Sequence, residues 1–186
     1  MKRWQFLMVL AGMFLLAGCS GKKVPPSEVY IIPNFGFSID IPEGWYTRPH
    51  DNGQGFRTFE LEADYREIQD KEKMEGIVIS LEHRSLDWLN RELGLPEDPT
   101  LNDLFQMNID NVTYMVNPTI EEITLFGVDA IKAEAYGAAD IWGIMHMGII
   151  EDEAFLLLVL APSEEALEEF KPTWEAMVES IKPVEE

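Results

Sequence analysis

Strand-like patterns of apolar residues dominate the chain after residue 36. Phe37, Ile39 and Ile41 alternate with polar residues, which predicts a half-buried strand over 37–41. Further strands are predicted over residues 56–62, 76–83, 119–125, 128–136, 141–150 and 154–161. The last two segments are apolar on both parities, as in strands buried on both faces. Something should therefore cover each face of the sheet, most simply a helix layer.

Capping signals predict two helices in the middle of the chain. Ser85 is placed to cap a helix over 86–93, and Gly94 is placed to end it. Thr100, with an acidic residue three positions later, resembles a capping box that opens a helix over 101–112. The charged segment 64–75, by contrast, is interpreted as a hairpin loop or an exposed extension.

A terminal helix should follow the last strand. Ser163 is a suitable N-cap, and two glutamates after it favour the positive end of the helix. Pro172 lies inside the apolar stripe of this segment, which predicts a kink or two short helices. The order of elements predicts an α+β domain in which an antiparallel β-sheet is sandwiched between helices (α/β/α).

The N-terminus has the features of a targeting signal. Lys2 and Arg3 precede an apolar run over 4–17, which is short for a membrane span but suits a signal peptide. The run ends in Leu-Ala-Gly-Cys at 16–19, which resembles the bacterial lipobox. That resemblance implies cleavage before Cys19 and lipidation of its sulfur, and two acyl chains are about what stable anchoring needs.

The expected organisation is a signal peptide over 1–18, a lipidated cysteine and tether over 19–27, and one domain over 28–186. The protein should then be extracytoplasmic and membrane-anchored. Residue 20 is serine and not aspartate, which resembles the sorting default for the outer membrane in a Gram-negative cell. In a Gram-positive cell the protein would lie on the outer face of the cell membrane.

Three segments resemble the PsbP-like family, which includes the photosystem II protein PsbP and LpqN-type bacterial lipoproteins. They are F-S-I-D-I-P-E-G-W over 37–45, F-G-V-D-A-I over 126–131, and F-K-P-T-W over 170–174 with S-I at 180–181. The resemblance implies the α/β/α fold. It also implies a largely non-catalytic role in protein binding or assembly, and no functional residue is carried over from the family.

Composition and charge narrow the choice of partners. The chain has 14 basic and 34 acidic side chains and a net charge of −20, so nucleic-acid binding is not expected. Cleavage after residue 18 would leave a net charge of −22, which favours basic partners. With Cys19 as the only cysteine, no intramolecular disulfide can form.

Catalytic motifs are missing from the sequence. Neither a G-x-S-x-G elbow nor an HExxH helix is present, and the histidines are His50, His83 and His146. In a strand, Met145 and Met147 would point away from His146, so the three could not chelate one copper ion. We therefore expect no enzyme activity and no cofactor.

Two regions are candidate contacts. Trp45 and Tyr46 follow a predicted strand and are expected to be partly exposed, whereas Trp142 and Trp174 should lie in the core. The acidic turn Glu151, Asp152 and Glu153, with Glu121 and Glu122 in an adjacent element, could hold Ca²⁺, although a solvated turn is the preferred interpretation.

The favoured function is a lipid-anchored module that binds or assembles another envelope protein. The alternative is a ligand-binding protein for a divalent cation or a small lipid. Its site would be the acidic turns or a gap between a helix and the sheet.

Overall fold

The computed structural model describes residues 25–67, 74–111, 116–136 and 141–184. The predicted signal peptide, the lipidation of Cys19 and most of the tether lie outside the described residues. None of the helices in the described ranges is long and apolar enough to cross a membrane.

The strands and helices follow one another in the order expected for an α+β domain. They are β1 (Ser27–Ile31), β2 (Phe37–Pro42), β3 (Tyr46–Pro49), β4 (Gly55–Phe59), α1 (Glu62–Glu67), β5 (Val78–Ser85), α2 (Leu86–Leu93), α3 (Leu101–Asn111), β6 (Val116–Leu125), β7 (Val128–Tyr136), β8 (Trp142–Ile150), β9 (Glu153–Ala161), α4 (Glu164–Glu179) and β10 (Lys182–Pro183).

The strands form two antiparallel sheets rather than one. The main sheet has the order β3-β4-β5-β9-β8-β7-β6, and a small sheet has the order β1-β2-β10. The predicted strand over 37–41 therefore belongs to the small sheet. Strands β1, β3 and β10 were not predicted, because they are short and largely exposed or half-buried, and so carry little apolar alternation.

The prediction for residues 56–75 is wrong in two respects. The strand ends at Phe59, and α1 begins at Glu62, inside the segment expected to be extended or a loop. The reason is tertiary: the carboxylate of Asp64 is buried and accepts a hydrogen bond from the Gly76 amide at 2.8 Å. This contact ties α1 to the start of β5.

Of the two outcomes predicted at Pro172, the division into two short helices is wrong, because α4 runs as one helix from Glu164 to Glu179. A proline removes the hydrogen bond to the carbonyl four residues earlier, which here belongs to Glu168. Glu168 is exposed, so water can satisfy that carbonyl. The helix begins as predicted, with the Ser163 side chain accepting from the Ala166 amide at 3.2 Å.

The other capping predictions are confirmed. The Ser85 side chain accepts from the Trp88 amide at 3.2 Å, and Gly94 takes the left-handed conformation at φ 73°. Thr100 and Asp103 form the reciprocal capping box, with the Thr100 amide donating to the Asp103 carboxylate at 2.8 Å. The Thr100 hydroxyl also donates to this carboxylate, at 2.6 Å, and the two hydrogen bonds from the Thr100 hydroxyl and amide hold the pKa of the Asp103 carboxyl below its usual value.

The main sheet is covered on both faces, as its apolar central strands predicted. The α4 face carries Ile79, Leu157 and Val159, which pack against α4 and the small sheet. The α2–α3 face carries Met145 and Met147, which pack against α2 and α3. The predicted sandwich of a sheet between helices is therefore confirmed. The one difference is that α4 and the small sheet together cover the α4 face.

Candidate functional site

The two aromatic residues that follow β2 pack in different directions. Trp45 is half-buried and stacks on Phe170 of α4, with ring centroids 5.4 Å apart. Tyr46 is 37% exposed, and its ring lies 6.0 Å from that of Tyr65 in α1. The Trp45 ring therefore packs toward α4 and the Tyr46 ring toward α1.

The acidic side chains do not converge. Glu151 and Asp152 are exposed in the turn between β8 and β9, whereas Glu153 lies 2.6 Å from Nδ1 of His83. Glu121 is on the edge strand β6, where its carboxylate is 3.9 Å from Lys132. Within the described ranges no three metal-ligating side chains form a group. The described ranges therefore contain no preformed site for the divalent cation of the alternative function.

His50 lies near a serine. Its Nε2 is 3.2 Å from the Ser80 hydroxyl and 3.9 Å from Glu82. A nucleophilic triad needs the acid on the opposite ring nitrogen, where it orients the base. Here the acid and the hydroxyl share one nitrogen. Burial lowers the pKa of His50, and the carboxylate of Glu82 opposes that shift.

His83 is held through both ring nitrogens. In addition to Glu153 at Nδ1, its Nε2 lies 2.9 Å from the carbonyl oxygen of Pro33. Its ring stacks on Phe35, with centroids 4.8 Å apart. This histidine connects β5, β9 and the loop before β2, which is a structural role.

A cavity of about 190 Å³ lies between the main sheet and helices α2 and α3, and we call it the α2–α3 cavity. Leu93, at the end of α2, lines it and is 50% exposed. Its apolar lining includes Leu89, Leu93, Leu104, Met107, Met147 and Leu156. Flexible methionine side chains let such a wall adapt to different apolar shapes.

The polar side chains of the α2–α3 cavity have partners. The Asn108 amide donates to the Leu104 carbonyl at 3.0 Å and contacts the sulfur of Met147 at 3.3 Å. The Arg84 guanidinium lies over the Trp88 ring at 5.2 Å and donates to Gln54. The cavity is thus an apolar space with a satisfied polar border.

A second cavity of about 260 Å³ lies on the opposite face, between α4 and strands β7 and β8, and we call it the α4 cavity. His146 and Trp174 line it, and their rings stack with centroids 5.5 Å apart. Both side chains are buried, and neither His146 Nδ1 nor Trp174 Nε1 has a hydrogen-bond partner among the described residues. Burial, with a smaller contribution from Lys132, lowers the pKa of His146 to about 4.

Charged groups surround the α4 cavity. Lys171 of α4 donates to Glu134 of β7 at 2.6 Å and also to Glu168. Burial of the ammonium disfavours its charge, but the hydrogen bonds to these two carboxylates outweigh that and raise the pKa of Lys171. Lys132, Glu175 and Glu179 complete the polar lining.

Strand β8 divides its side chains between the two cavities. Met147 lines the α2–α3 cavity and His146 lines the α4 cavity. The prediction that Met145 and Met147 point away from His146 is therefore confirmed, because both methionines pack against α2 and α3.

Sequence reasoning missed the residues that make the two cavities. Trp174 was expected only as core, and Trp88 and Met107 were not singled out. One signal was present: His146 is a lone imidazole in a strand that is otherwise apolar. A buried titratable group in such a strand indicates either a satisfied core histidine or a site.

Comparison with known proteins supports the fold. No family model matches the chain, and no curated protein matches it in sequence. The solution structure of cyanobacterial PsbP (CyanoP) from Synechocystis sp. PCC 6803 aligns with a TM-score of 0.53 and 13% identity, over 91% of this chain and 99% of that one. The resemblance to PsbP-like proteins is therefore confirmed for the fold.

Two other structures align more weakly. LpqN of Mycobacterium tuberculosis, described as involved in cell envelope biogenesis, has a TM-score of 0.36 and 11% identity over 89% of this chain and 88% of that one. A Bacteroides thetaiotaomicron protein has a TM-score of 0.47 and 11% identity over 86% of this chain and 49% of that one.

Proposed function

We propose that this protein is a lipid-anchored, extracytoplasmic binding module without catalytic activity. Its location rests on the N-terminal segment, which has the pattern of a signal peptide followed by a lipobox at Cys19. The PsbP-like fold is compatible with a module that binds a partner, because fold alone assigns no chemistry.

The observation that carries the binding role is the α2–α3 cavity. It is open to solvent, it is walled by leucine and methionine, and its volume is about 190 Å³. Pockets for small-molecule ligands usually measure about 300–1,000 Å³. A space of the smaller size suits one apolar side chain of a partner protein, inserted as the anchor of an interface.

The partner should carry positive charge around that anchor. The chain has a net charge of −20, and a basic partner would be attracted to it over a distance. Glu82 lies at the border of the cavity, 3.9 Å from Arg84, and its 42%-exposed side chain is accessible to the partner's basic groups. We therefore place a basic envelope protein on the α2–α3 face.

Crosslinking and capture from native membranes test the proposal with matched variants. Leu93→Ala removes a half-exposed aliphatic side chain that lines the cavity, and Ala154→Leu fills the space from β9. Ile120→Ala is the control, because Ile120 is 53% exposed on β6 and does not line the cavity.

The expected result is one protein captured by the wild type and by Ile120→Ala, and lost with the two cavity variants. Equal capture by all four proteins would remove the cavity from the interface. A shift of the melting temperature by dodecanoate that Ala154→Leu abolishes, without any captured protein, would favour a small lipid instead.

Anchoring is tested separately. Cells fed labelled palmitate should incorporate label into the wild type but not into Cys19→Ala. Label in both, or in neither, would contradict lipidation at Cys19.

A further inference from the structure

Two unpaired polar groups meet on the α4 face of the sheet. His146 of β8 is 5% exposed and Trp174 of α4 is 1% exposed, and their stacked rings line the α4 cavity. In the part of the chain that the structure describes, His146 Nδ1 and Trp174 Nε1 lack hydrogen-bond partners. Buried polar groups are hydrogen-bonded in the large majority of cases, so both nitrogens call for an explanation.

The cavity beside these rings can hold more than water. Its volume is about 260 Å³, whereas one water takes about 30 Å³ of the liquid. The indole nitrogen of Trp174 is a donor only. The group that completes its hydrogen bonding must therefore be an acceptor, such as a ligand oxygen.

The groups beside His146 favour a carboxylate. Lys132 of β7 is paired in register with His146, so a cation lies beside the unpaired imidazole. Its contact with Glu121 is long, at 3.9 Å. Because the pKa of His146 is lowered to about 4, the ring is neutral at pH 7 and the positive charge there comes from Lys132. Charge-assisted hydrogen bonds to a carboxylate are stronger than neutral ones.

The outer part of the cavity favours a cation. Glu175 and Glu179 lie one turn apart on α4, and both are exposed at the lining. They would repel a simple anion, as would the net charge of −20. A ligand that also carries an ammonium group would instead be attracted to them.

We infer that the α4 cavity binds a small zwitterion of the amino-acid class. Its carboxylate accepts from Trp174 Nε1 and Lys132, and its ammonium group lies toward Glu175 and Glu179. His146 Nδ1 donates to the same carboxylate in the tautomer protonated at that nitrogen. This site is on the opposite face from the α2–α3 cavity, so it does not depend on the proposed function.

Nuclear magnetic resonance of the ¹⁵N-labelled full chain tests the inference. The chain has five tryptophans, and Trp174→Phe identifies which indole N–H signal belongs to Trp174. Three probes separate the charges: L-alanine carries both, propionate lacks the ammonium group, and ethylamine lacks the carboxylate. Alanine should move the Trp174 signal saturably and leave that of Trp88 unmoved.

Variants assign the two ends of the ligand. Trp174→Phe and Lys132→Met should each weaken alanine binding by about tenfold or more, as expected for the loss of one hydrogen bond to a charged group. Binding to Trp174→Phe is followed by calorimetry. Lys182→Met, on the exposed strand β10, is the matched control and should bind normally. Glu175→Gln with Glu179→Gln should reduce alanine binding to the level of propionate.

Each outcome is decisive. No saturable shift with any of the three probes at millimolar concentration would mean that water alone fills the cavity, and the inference would fail. Equal affinity for alanine and propionate would overturn the zwitterion and leave an anion site. Tighter binding of alanine than of either single-charge probe, lost with Lys132→Met and kept with Lys182→Met, would establish it.

Discussion

The two cavities lie on opposite faces of one sheet and share strand β8, yet they differ in what they leave unsatisfied. In the α2–α3 cavity the Asn108 side chain is hydrogen-bonded and the walls are apolar. In the α4 cavity His146 and Trp174 each have a nitrogen that no described residue hydrogen-bonds. An apolar cavity can stay dry and empty, whereas an unpaired buried polar group costs about 1–3 kcal/mol. The polar cavity is therefore the more specific sign of a ligand.

The largest expected change in stability comes from removing the ring of Trp174, which separates the α4 cavity from the core. Trp174→Ala deletes a side chain that is 1% exposed, and it should lower the free energy of unfolding by about 3–5 kcal/mol. Trp174→Phe keeps most of the packing and removes an unpaired donor, so it should cost about 1 kcal/mol or less. Urea unfolding measures both.

A large cost for Trp174→Phe would contradict this comparison. It would mean that the indole N–H has a partner in solution, and the contrast between the two cavities would disappear. Leu104→Ala on the opposite face should cost about 2–5 kcal/mol, and it controls for deletion of a fully buried side chain.

The pH dependence of stability should depend on His146. The pKa of His146 is lowered from 6.5 to about 4 in the folded protein, so the unfolded chain binds more protons between these values. The contribution of this residue to stability should therefore fall as the pH drops from 6.5 to 4, by about 3 kcal/mol in total. His146→Gln should remove that loss, and parallel pH curves for the two proteins would refute the prediction.

Several charged groups face the imidazole of His146, and the variant Lys132→Met isolates the effect of one of them. Lys132 from β7 disfavours the charged ring. Lys171, Glu134, Glu175 and Glu179 line the same cavity. Lys132→Met should raise the pKa of the ring toward its usual value, although burial remains the main cause of the shift. Titration of the imidazole by nuclear magnetic resonance would measure this directly.

The parts of the fold that sequence could predict are those whose signals are local. The apolar runs of β8 and β9 predicted strands covered on both faces, and Ser85, Gly94 and Ser163 marked helix ends that the structure has. The short strands β1, β3 and β10 escaped prediction, because they carry little apolar alternation of their own and are stabilised by pairing with another strand. For example, Lys182 pairs with Ser38.

The cavities were harder to predict than the strands, because each needs two distant elements. His146 gains its meaning only when α4 places Trp174 against it. In the same way, Glu153 looked like one of three free carboxylates until β5 brought His83 to it. Residue spacing along the chain shows which side chains share a face, but not which element packs on that face.

A smaller effect on stability is expected at the N-caps of α2 and α4, the helices that cover opposite faces of the sheet. Ser85→Ala and Ser163→Ala each remove one side-chain hydrogen bond to a helix amide, and each should cost about 1 kcal/mol. Hydrogen exchange should show faster exchange in α2 for the first variant and in α4 for the second. If both variants loosened both helices equally, the two covers would form one cooperative unit and not two independent walls.

The smallest effect concerns the ion pair that links α4 to β7 beside the polar cavity. Lys171 donates to Glu134 at 2.6 Å, and both side chains are about three-quarters buried. Partly exposed pairs are worth about 1 kcal/mol or less, so Lys171→Met should change stability little and the effect should shrink in salt. Because its pKa is raised, the contribution of Lys171 should be full below pH 10.5 and fall as the pH rises further. If the pair restricts access to the cavity, Lys171→Met should speed solvent exchange of the Trp174 indole proton. An unchanged exchange rate would show that the ion pair does not restrict access to this cavity.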